Sequence, residues 1–266
     1  MKTAWITGSS GGIGKAMALE FNRHGYFTIL SARRSETLAE VQNQLPYPEN
    51  SAVLLLDLTQ YQQAEQWAKK ALSHTGQIDI LVNNGGIGHL GRVVEMGLDV
   101  EEKVMQTNFW GTAALTKAMV PVMLEKGAGQ IWSVGSILSY FGSPKLAAYA
   151  ASKYAVVGYM ESLQYELRKT PVHAGILSPG FINTNVTLSS LGPDGNPIGK
   201  NSVAQEKGML PEILARKFYR ITQKNHPPLH VVIGGYEKWA VPFKRYLPKI
   251  FFKVYGKLTD KTRGKK

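Results

Sequence analysis

Two side chains near the middle of the chain have the types and spacing needed to move a proton. Tyr149 and Lys153 are four residues apart, so a helix would place them on one face. A free tyrosine has a pKa of about 10, and its phenolate becomes a useful base near neutral pH only beside a stabilising cation. Lys153 could supply that cation. The spacing alone is not specific, because Tyr165 and Lys169 repeat it.

Two further polar residues could complete a proton-transfer site. Ser136 precedes Tyr149 in the chain and could donate a hydrogen bond to a substrate oxygen. Asn108 falls inside a predicted helix, where asparagine is mildly unfavourable, and this favours a second role for it. The chain has no cysteine, and its six histidines show no spacing typical of a metal site, so we expect no metal.

A glycine-rich turn near the start of the sequence could hold a pyrophosphate. The turn lies between a predicted strand and a predicted helix. Glycines there let the backbone approach a phosphate, and the N-terminus of the helix offers free N–H groups. This context predicts a dinucleotide-binding site. The contacts predicted from the turn are Gly8, Ser10, Gly12, Ile13 and Gly14.

The end of the second predicted strand favours a phosphorylated cofactor. Arg33 and Arg34 stand where an acidic residue would bind a free ribose 2′-hydroxyl. A guanidinium group can donate two hydrogen bonds to a phosphate, so we expect NADP(H) rather than NAD(H). The alternative is that both arginines are only solvated residues at a strand end.

Later strand ends predict further cofactor contacts. Asp57 ends the third predicted strand and could accept a hydrogen bond from an adenine amino group, although turn aspartates are common. Residues 83–86 end the fourth strand, and their glycines would let a cofactor lie against the backbone. The contacts predicted here are Asp57, Leu58, Asn84, Gly85 and Gly86, with Tyr149 and Lys153 beyond them.

Short apolar runs and longer helical patterns alternate along the chain and must position these residues. Strands are predicted at residues 3–7, 26–31, 52–57, 78–83, 130–134 and 173–177. Helices are predicted at residues 15–24, 35–44, 60–74, 100–124 and 147–169. This alternation predicts an α/β fold, a single doubly wound Rossmann domain with a parallel sheet flanked by helices. We assign it to residues 1–240, with a substrate lid at about 186–225.

The last part of the chain predicts a separate basic element. The net charge of +12 arises within residues 200–266, which hold 16 Lys and Arg residues and 4 acidic residues. In the extension, residues 241–266, four apolar side chains recur at helical spacing opposite basic residues: Phe251, Val254, Tyr255 and Leu258. Such a basic amphipathic helix is typical of segments on an anionic membrane surface. Docking on its own domain or on a twin subunit is the alternative.

Taken in order, these motifs resemble the short-chain dehydrogenase/reductase family. Thr-Gly-x-x-x-Gly-Ile-Gly, Asn-Asn-x-Gly, a serine, Tyr-x-x-x-Lys and Pro-Gly span about two thirds of the chain, from Met1 to about Val186. One departure is Gly85, where the family more often has alanine.

The resemblance implies a role for each residue of the predicted site. Tyr149 would be the general acid or base, and Lys153 would bind the nicotinamide ribose and lower the pKa of Tyr149. Ser136 would orient the substrate oxygen, and Asn108 would hold a relay water. The residues implied to lie near the nicotinamide are Pro179, Gly180, Ile182 and Thr184.

The sequence therefore predicts an NADP(H)-dependent oxidoreductase acting on a carbonyl or a secondary alcohol. An apolar substrate, such as a steroid, a retinoid or a lipid, is favoured by the residues expected around it: Leu138, Tyr140, Phe141, Leu188, Leu191, Met209 and Leu210. Two alternatives stay open, an NAD-dependent alcohol dehydrogenase and an NADP-binding sensor or scaffold at a membrane surface.

Partners and location follow from the same features. The resemblance implies a homo-oligomer, a dimer or a tetramer, and no nucleic-acid partner is expected. We find no signal-peptide pattern and no apolar stretch long enough to span a bilayer, so the sequence predicts a cytoplasmic protein. Peripheral attachment to an anionic membrane through the C-terminal helix is left open.

Overall fold

A parallel sheet organises the residues that the computed structural model describes, which are 1–200 and 202–263, with side chains to residue 260. Within them the strands are β1 (Thr3–Thr7), β2 (Phe27–Ala32), β3 (Ser51–Leu55), β4 (Ile80–Asn83), β5 (Gly129–Val134), β6 (Val172–Pro179) and β7 (His230–Ile233). Their order is β3-β2-β1-β4-β5-β6-β7. The order reverses between β1 and β4, and open parallel sheets bind ligands beyond the carboxyl ends of their strands at such a point. The predicted Rossmann fold is confirmed.

Helices cover both faces of the sheet. They are α1 (Gly12–Arg23), α2 (Ser35–Gln42), α3 (Ala64–Thr75), α4 (Leu98–Met105), α5 (Gly111–Lys126), α6 (Ala147–Leu167), α7 (Val203–Glu206), α8 (Pro211–Thr222), α9 (Ala240–Tyr246) and α10 (Pro248–Arg263). Side chains alternate along each strand, so Trp5 packs in the layer of α3, α5 and α6, whereas Ile6 packs in the layer of α1, α2 and α8. Because both faces are buried, the strands are apolar throughout.

Strand β7 was missed by the sequence prediction. Its residues, His230–Ile233, pair in parallel with the end of β6. The run is short and follows two prolines, yet its three β-branched residues were a usable signal. The sheet therefore has a seventh strand, next to β6, in addition to the six predicted strands.

The predicted helix at residues 100–124 is interrupted at its centre. Between α4 and α5 lies a π-helical segment, Gln106–Trp110, which contains Asn108. A π-helical turn is wider than an α-helical one and frequently marks a functional site. The periodicity of the sequence did not reveal this change, because apolar spacing continues on both sides of it.

Part of the predicted lid belongs to the core. Residues 211–222 form α8, whose Leu214 and Phe218 are buried against the layer that contains α1. Earlier in the predicted lid, residues 186–200 form short bridges, among them His89 with Leu191, and α7 follows them. Residue 201 of the lid and residues 264–266 of the predicted extension lie outside the described residues.

The predicted C-terminal helix is divided into two. Leu247 separates α9 from α10, and α10 begins at Pro248, whose ring cannot continue a preceding helix. Phe251 is buried and stacks with Tyr255, and both rings contact Phe141 of the main fold. The apolar face of α10 is therefore partly docked on its own chain.

Candidate active site

The glycine-rich turn brings backbone atoms together where side chains would not fit. Gly8 has a φ of +68°, and a Cβ there would lie 2.8 Å from the Cα of Gly85. A Cβ on Gly14 would collide with the carbonyl oxygen of Gly8. The first turn of α1 is thereby pressed against β1, with its free N–H groups facing the end of the sheet. Gly14 serves this packing and does not line the cavity described below.

Hydrogen bonds join this turn to the loop that follows β4. The Thr7 hydroxyl accepts from the backbone N–H groups of Asn84 (3.0 Å) and Gly85 (2.9 Å). The Asn84 side-chain amide donates to the carbonyl oxygen of Thr7 at 2.9 Å. Asn84, predicted to contact a cofactor, therefore also has a structural role. The two loops form one surface at the carboxyl ends of β1 and β4.

The arginines after β2 are exposed and lie on the same cavity as the glycine-rich turn. Ser31, at the end of β2, is tied to the turn by its backbone N–H, which donates to the Ser9 hydroxyl at 2.8 Å. Arg33 and Arg34 line the cavity, and within the described residues neither forms an ion pair. Lys15, on the first turn of α1, lines it too and was not predicted. Its place one residue after Gly14 was the available signal.

Asp57 does not end β3, as the sequence suggested. The strand ends at Leu55, and Asp57 precedes a 3-10 helix, Leu58–Gln63. One carboxylate oxygen accepts from the backbone N–H (3.0 Å) and the hydroxyl (2.9 Å) of Thr59. Asp57 and Leu58 still line the cavity, and the second carboxylate oxygen has no such role in the cap.

A single cavity of about 740 Å³ brings most of the predicted residues together. That volume is in the range of small-molecule and cofactor sites. The predicted residues on its wall are Gly8, Ser10, Gly12, Ile13, Arg33, Arg34, Asp57, Leu58, Asn84, Gly85, Gly86, Ser136, Tyr149, Lys153, Pro179, Gly180, Ile182 and Thr184. Gly14 and Asn108 are the predicted residues that lie behind the wall.

Ser136 begins the segment that follows β5. It caps a 3-10 turn, Ile137–Ser139, in which its hydroxyl accepts from the N–H of Leu138 at 3.1 Å. Its own N–H donates to the Ser139 hydroxyl at 3.1 Å. This reciprocal cap fixes the backbone on which the Ser136 hydroxyl is carried.

Tyr149 and Lys153 occupy neighbouring turns of α6, as their spacing predicted. The Lys153 Nζ lies 5.7 Å from the centroid of the Tyr149 ring and donates to the carbonyl oxygen of Val134 at 2.8 Å. Burial lowers the pKa of Lys153 from 10.5 to about 8. Burial also raises the pKa of Tyr149, and a hydrogen bond with Ser136 acts in the opposite direction. At neutral pH, therefore, a protonated phenol lies beside an ammonium group.

The side chain of Asn108 forms its hydrogen bonds with other residues of the chain. It is fully buried, its Oδ1 accepts from the N–H of Ile87 at 2.8 Å, and its Nδ2 donates to the Ile87 carbonyl at 2.9 Å. A third bond reaches the Ser152 hydroxyl at 3.0 Å. The π-helical segment thus holds the loop after β4 against α6. The relay water implied for Asn108 stays a prediction.

The loop after β6 closes over the glycine-rich turn. Thr184 approaches Gly12, because a Cβ on Gly12 would lie 3.1 Å from the Thr184 methyl group. The start of the loop is anchored by Glu237, whose Oε1 accepts from the N–H groups of Phe181 and Gly235, both at 2.9 Å. Sequence analysis missed Glu237, because nothing local distinguishes it from an ordinary surface carboxylate.

The apolar residues expected around a substrate lie elsewhere. None of the seven is on the wall of the cavity. Phe141 is buried beneath α10, Leu191 packs with Met96 and Val100, and Met209 packs on the sheet. Apolar atoms on the wall near Lys153 and Asn108 come instead from Val134 and Ile87.

Comparison with known proteins agrees with this arrangement. The family model of the short chain dehydrogenases matches residues 2–191. A curated relative from Drosophila melanogaster, Dehydrogenase/reductase SDR family protein 7-like, is 34% identical over 263 residues, covering 96% of this chain and 80% of the relative.

Solved structures share the fold. An alcohol dehydrogenase from the archaeon Thermococcus sibiricus, complexed with 5-hydroxy-NADP, is 26% identical with a TM-score of 0.76, covering 89% of this chain and 97% of that one. A short chain dehydrogenase/reductase from Burkholderia phymatum in complex with NAD is 23% identical with a TM-score of 0.82, covering 94% of each chain. The second likeness supports the fold alone. Both the family match and the Drosophila relative extend over most of the sequence, and the chain belongs to the short-chain dehydrogenase/reductase family of oxidoreductases.

Proposed function

We propose that the protein is an NADP(H)-dependent oxidoreductase that interconverts a carbonyl and a secondary alcohol on an apolar substrate. The observation that carries this proposal is the continuity of one cavity wall from Arg33 and Arg34 to Ser136, Tyr149 and Lys153. The arginines at one end could bind the 2′-phosphate of the cofactor. The tyrosine, serine and lysine at the other end could act on a substrate placed beside the nicotinamide ring.

The residues on the wall fit such a cofactor. The backbone at Gly8 and the N-terminus of α1 would hold the pyrophosphate, since both offer close backbone approach and free N–H groups. Arg33 and Arg34 line the cavity, form no ion pair with any residue that the structure describes, and would bind the 2′-phosphate. Lys15 adds a third positive charge to the wall. These charges favour NADP(H) over NAD(H).

The chemistry at the other end belongs to the side chains of this chain. The cofactor, when bound, supplies or accepts the hydride. Tyr149 gives its phenol proton to the substrate oxygen during reduction and recovers it during oxidation, while Ser136 donates a hydrogen bond that orients the same oxygen. Lys153, held by Val134, stabilises the phenolate that Tyr149 becomes.

An apolar substrate is supported by the composition of the wall. Its basic side chains are Lys15, Arg33, Arg34 and Lys153, and the first three are assigned to the cofactor phosphates. Lys153 is bonded to Val134, so no free cation is left to bind a carboxylate or phosphate of the substrate. Substrate binding would therefore rest on burial of apolar surface.

The test is NADPH consumption with ketones and aldehydes graded from small and polar to long and apolar, repeated with NADH. We expect turnover that rises with chain length and a preference for NADPH. Equal use of NADH would favour the NAD-dependent alternative. Tight NADPH binding without turnover on any carbonyl would favour a cofactor-binding sensor or scaffold.

A further inference from the structure

A 3-10 helix, Tyr236–Trp239, and the two α-helices that follow it carry an exposed apolar and basic surface that the proposed reaction does not use. We define this C-terminal surface by its exposed apolar side chains, Tyr236, Trp239, Tyr246, Leu247, Ile250, Phe252, Val254 and Leu258. Its four aromatic side chains are between 67% and 84% exposed. Scattered apolar residues are normal on a protein surface, but eight exposed ones within residues 236–258 are more than scatter and indicate an interaction site.

The side chains that pack α10 against the main fold are different from those of the C-terminal surface. The helix is held by Phe251, which contacts Phe141 with a ring-centroid distance of 5.1 Å, and by the Tyr255 hydroxyl, which donates to Ser143 at 2.9 Å. With a rotation of about 100° per residue, Ile250, Val254 and Leu258 form a stripe beside the docked face. These three side chains are 42% to 57% exposed. Among the described residues, none of the three belongs to an apolar cluster of the core.

The same helices are strongly positive. Residues 236–260 include six basic side chains, Lys238, Lys244, Arg245, Lys249, Lys253 and Lys257, and two acidic ones, Glu237 and Asp260. Glu237 is already bound to backbone N–H groups of the main fold. On α10, Lys249, Lys253 and Lys257 follow one another at intervals of four residues next to the apolar stripe. Long lysine side chains in this position can extend their ammonium groups toward anionic headgroups.

We propose that the C-terminal surface docks on an anionic lipid bilayer, with α10 lying in the plane of the interface. An apolar stripe bordered by lysines, with tryptophan and tyrosine beside it, has the composition of an interfacial helix. Within the described residues no helix is long and apolar enough to cross a membrane. Because α10 packs on the segment that follows Ser136, docking brings that segment close to the lipid.

Two other occupants fit the surface less well. A second copy of the chain would bring two positive surfaces together, and like charges in contact are unfavourable. A nucleic acid would satisfy the lysines and stack on the aromatic rings, but it offers nothing to the aliphatic stripe of Ile250, Val254 and Leu258. Acyl chains and anionic headgroups together satisfy both features.

The first experiment is sedimentation of the full-length protein with phosphatidylcholine vesicles, with and without phosphatidylserine. We expect pelleting only with the anionic vesicles, and its loss in high salt, since the screening length falls to about 3 Å at 1 M. The variant K249Q/K253Q/K257Q should partition about 100-fold more weakly, because each lysine near an anionic surface contributes roughly a fivefold effect. The matched control, K69Q/K70Q/K103Q, removes three exposed lysines from α3 and α4 and should pellet like the wild type.

The second experiment tests insertion of the apolar side chains. Brominated lipids should quench the fluorescence of Trp239, and the quenching should disappear in Trp239→Phe. The variant I250S/V254S should bind anionic vesicles more weakly, whereas V93S/V94S, an exposed pair before α4, should not. Turnover of a small soluble ketone checks that each variant is folded, and the vesicle assay itself needs no catalysis.

Several results would overturn the proposal. Equal pelleting of wild type and K249Q/K253Q/K257Q would remove the electrostatic contact. A wild-type dimer that I250S/V254S dissociates, without binding to vesicles, would assign the surface to a second copy of the chain. Release from vesicles by single-stranded RNA, with tighter binding to the RNA, would assign it to nucleic acid.

Discussion

The ammonium nitrogen of Lys153 lies 5.7 Å from the centre of the Tyr149 ring while donating to the carbonyl oxygen of Val134. The phenol is thus paired with a cation that is itself fixed to the sheet through β5. Burial opposes the charge on both groups, raising the pKa of Tyr149 and lowering that of Lys153. Stabilisation of a phenolate here depends on the lysine remaining protonated.

Removal of the Tyr149 hydroxyl should abolish the proton transfer and leave the cofactor in place. For Tyr149→Phe we expect kcat to fall about 10²- to 10⁴-fold, the usual contribution of general acid–base catalysis. The dissociation constant of NADPH, measured by fluorescence, should change little. Tyr165→Phe is the matched control, because Tyr165 and Lys169 have the same spacing on an exposed part of the chain. Undiminished turnover in Tyr149→Phe would exclude the assigned role.

The pH dependence of the reaction should report the buried lysine. Lys153 is charged below about pH 8 and neutral above it, so kcat/KM for NADPH should fall as the pH rises through that value. In Lys153→Arg the cation persists to high pH, and the remaining activity should lose this decline. If kcat/KM fell with pH in the same way in the wild type and in Lys153→Arg, the titrating group would be a residue other than Lys153.

The same pKa shift predicts an effect on stability in the cofactor-free protein. Between about pH 8 and 10.5 the unfolded chain holds a proton on Lys153 that the folded chain has released. The free energy of unfolding should therefore increase with pH in this window for the wild type, relative to Lys153→Met. The free energy of unfolding would be measured by urea unfolding of both proteins at several pH values. If it changed with pH by the same amount in the wild type and in Lys153→Met, the lowered pKa of Lys153 would be contradicted.

The two arginines after β2 should decide cofactor preference. Replacing Arg33 and Arg34 by alanine removes charge-assisted hydrogen bonds to a 2′-phosphate, and we expect the affinity for NADPH to fall about 10- to 100-fold. The affinity for NADH should be unchanged. Arg168→Ala, on an exposed arginine beyond α6, is the control. If the double alanine variant lost affinity for NADPH and NADH by the same factor, the substitutions would have disturbed the structure of the site rather than removed a contact with the 2′-phosphate.

The Glu237 carboxylate should stabilise the loop after β6. Glu237→Ala removes the acceptor of the partly buried Phe181 N–H and of the exposed Gly235 N–H, which should lower the free energy of unfolding by about 1 kcal/mol. We also expect a higher KM for NADPH, because Gly180 at the start of that loop lines the cavity. Glu237→Gln keeps an acceptor oxygen and should restore most of both properties. Failure of the glutamine variant to do so would point to the charge rather than the hydrogen bonds.

Local signals were sufficient for the sheet and for most of the cavity wall. The turn after β1, the arginines after β2 and the pair on α6 could be predicted, because each is encoded within one strand end or one helix. Asp57 was misplaced by two residues, since apolar residues continue past the last paired residue of β3, Leu55. Such errors shift an element end without moving the residue away from the site.

Features that depend on distant contacts were missed. The π-helical segment at Asn108 is stabilised by bonds to Ile87 and Ser152, which lie on other elements. Glu237 finds its partner Phe181 across 56 residues of chain. The apolar residues expected around a substrate do not line the cavity, and contacts such as that of Phe141 with α10 cannot be inferred from hydropathy alone.

The anchoring of Phe181 by Glu237 also has a consequence for how this chain can vary. The chain between Phe181 and Glu237 leaves the sheet after β6 and returns to it at β7, so both ends of this segment are fixed at one carboxylate. Loop-closure entropy grows slowly with length, and each doubling costs only about 0.6 kcal/mol. Insertions at the turn formed by residues 194–196, which among the described residues carries no hydrogen bond to the loop after β6, should therefore leave the geometry at Gly180 intact. That turn can therefore vary in length while Ser136, Tyr149 and Lys153 keep their positions.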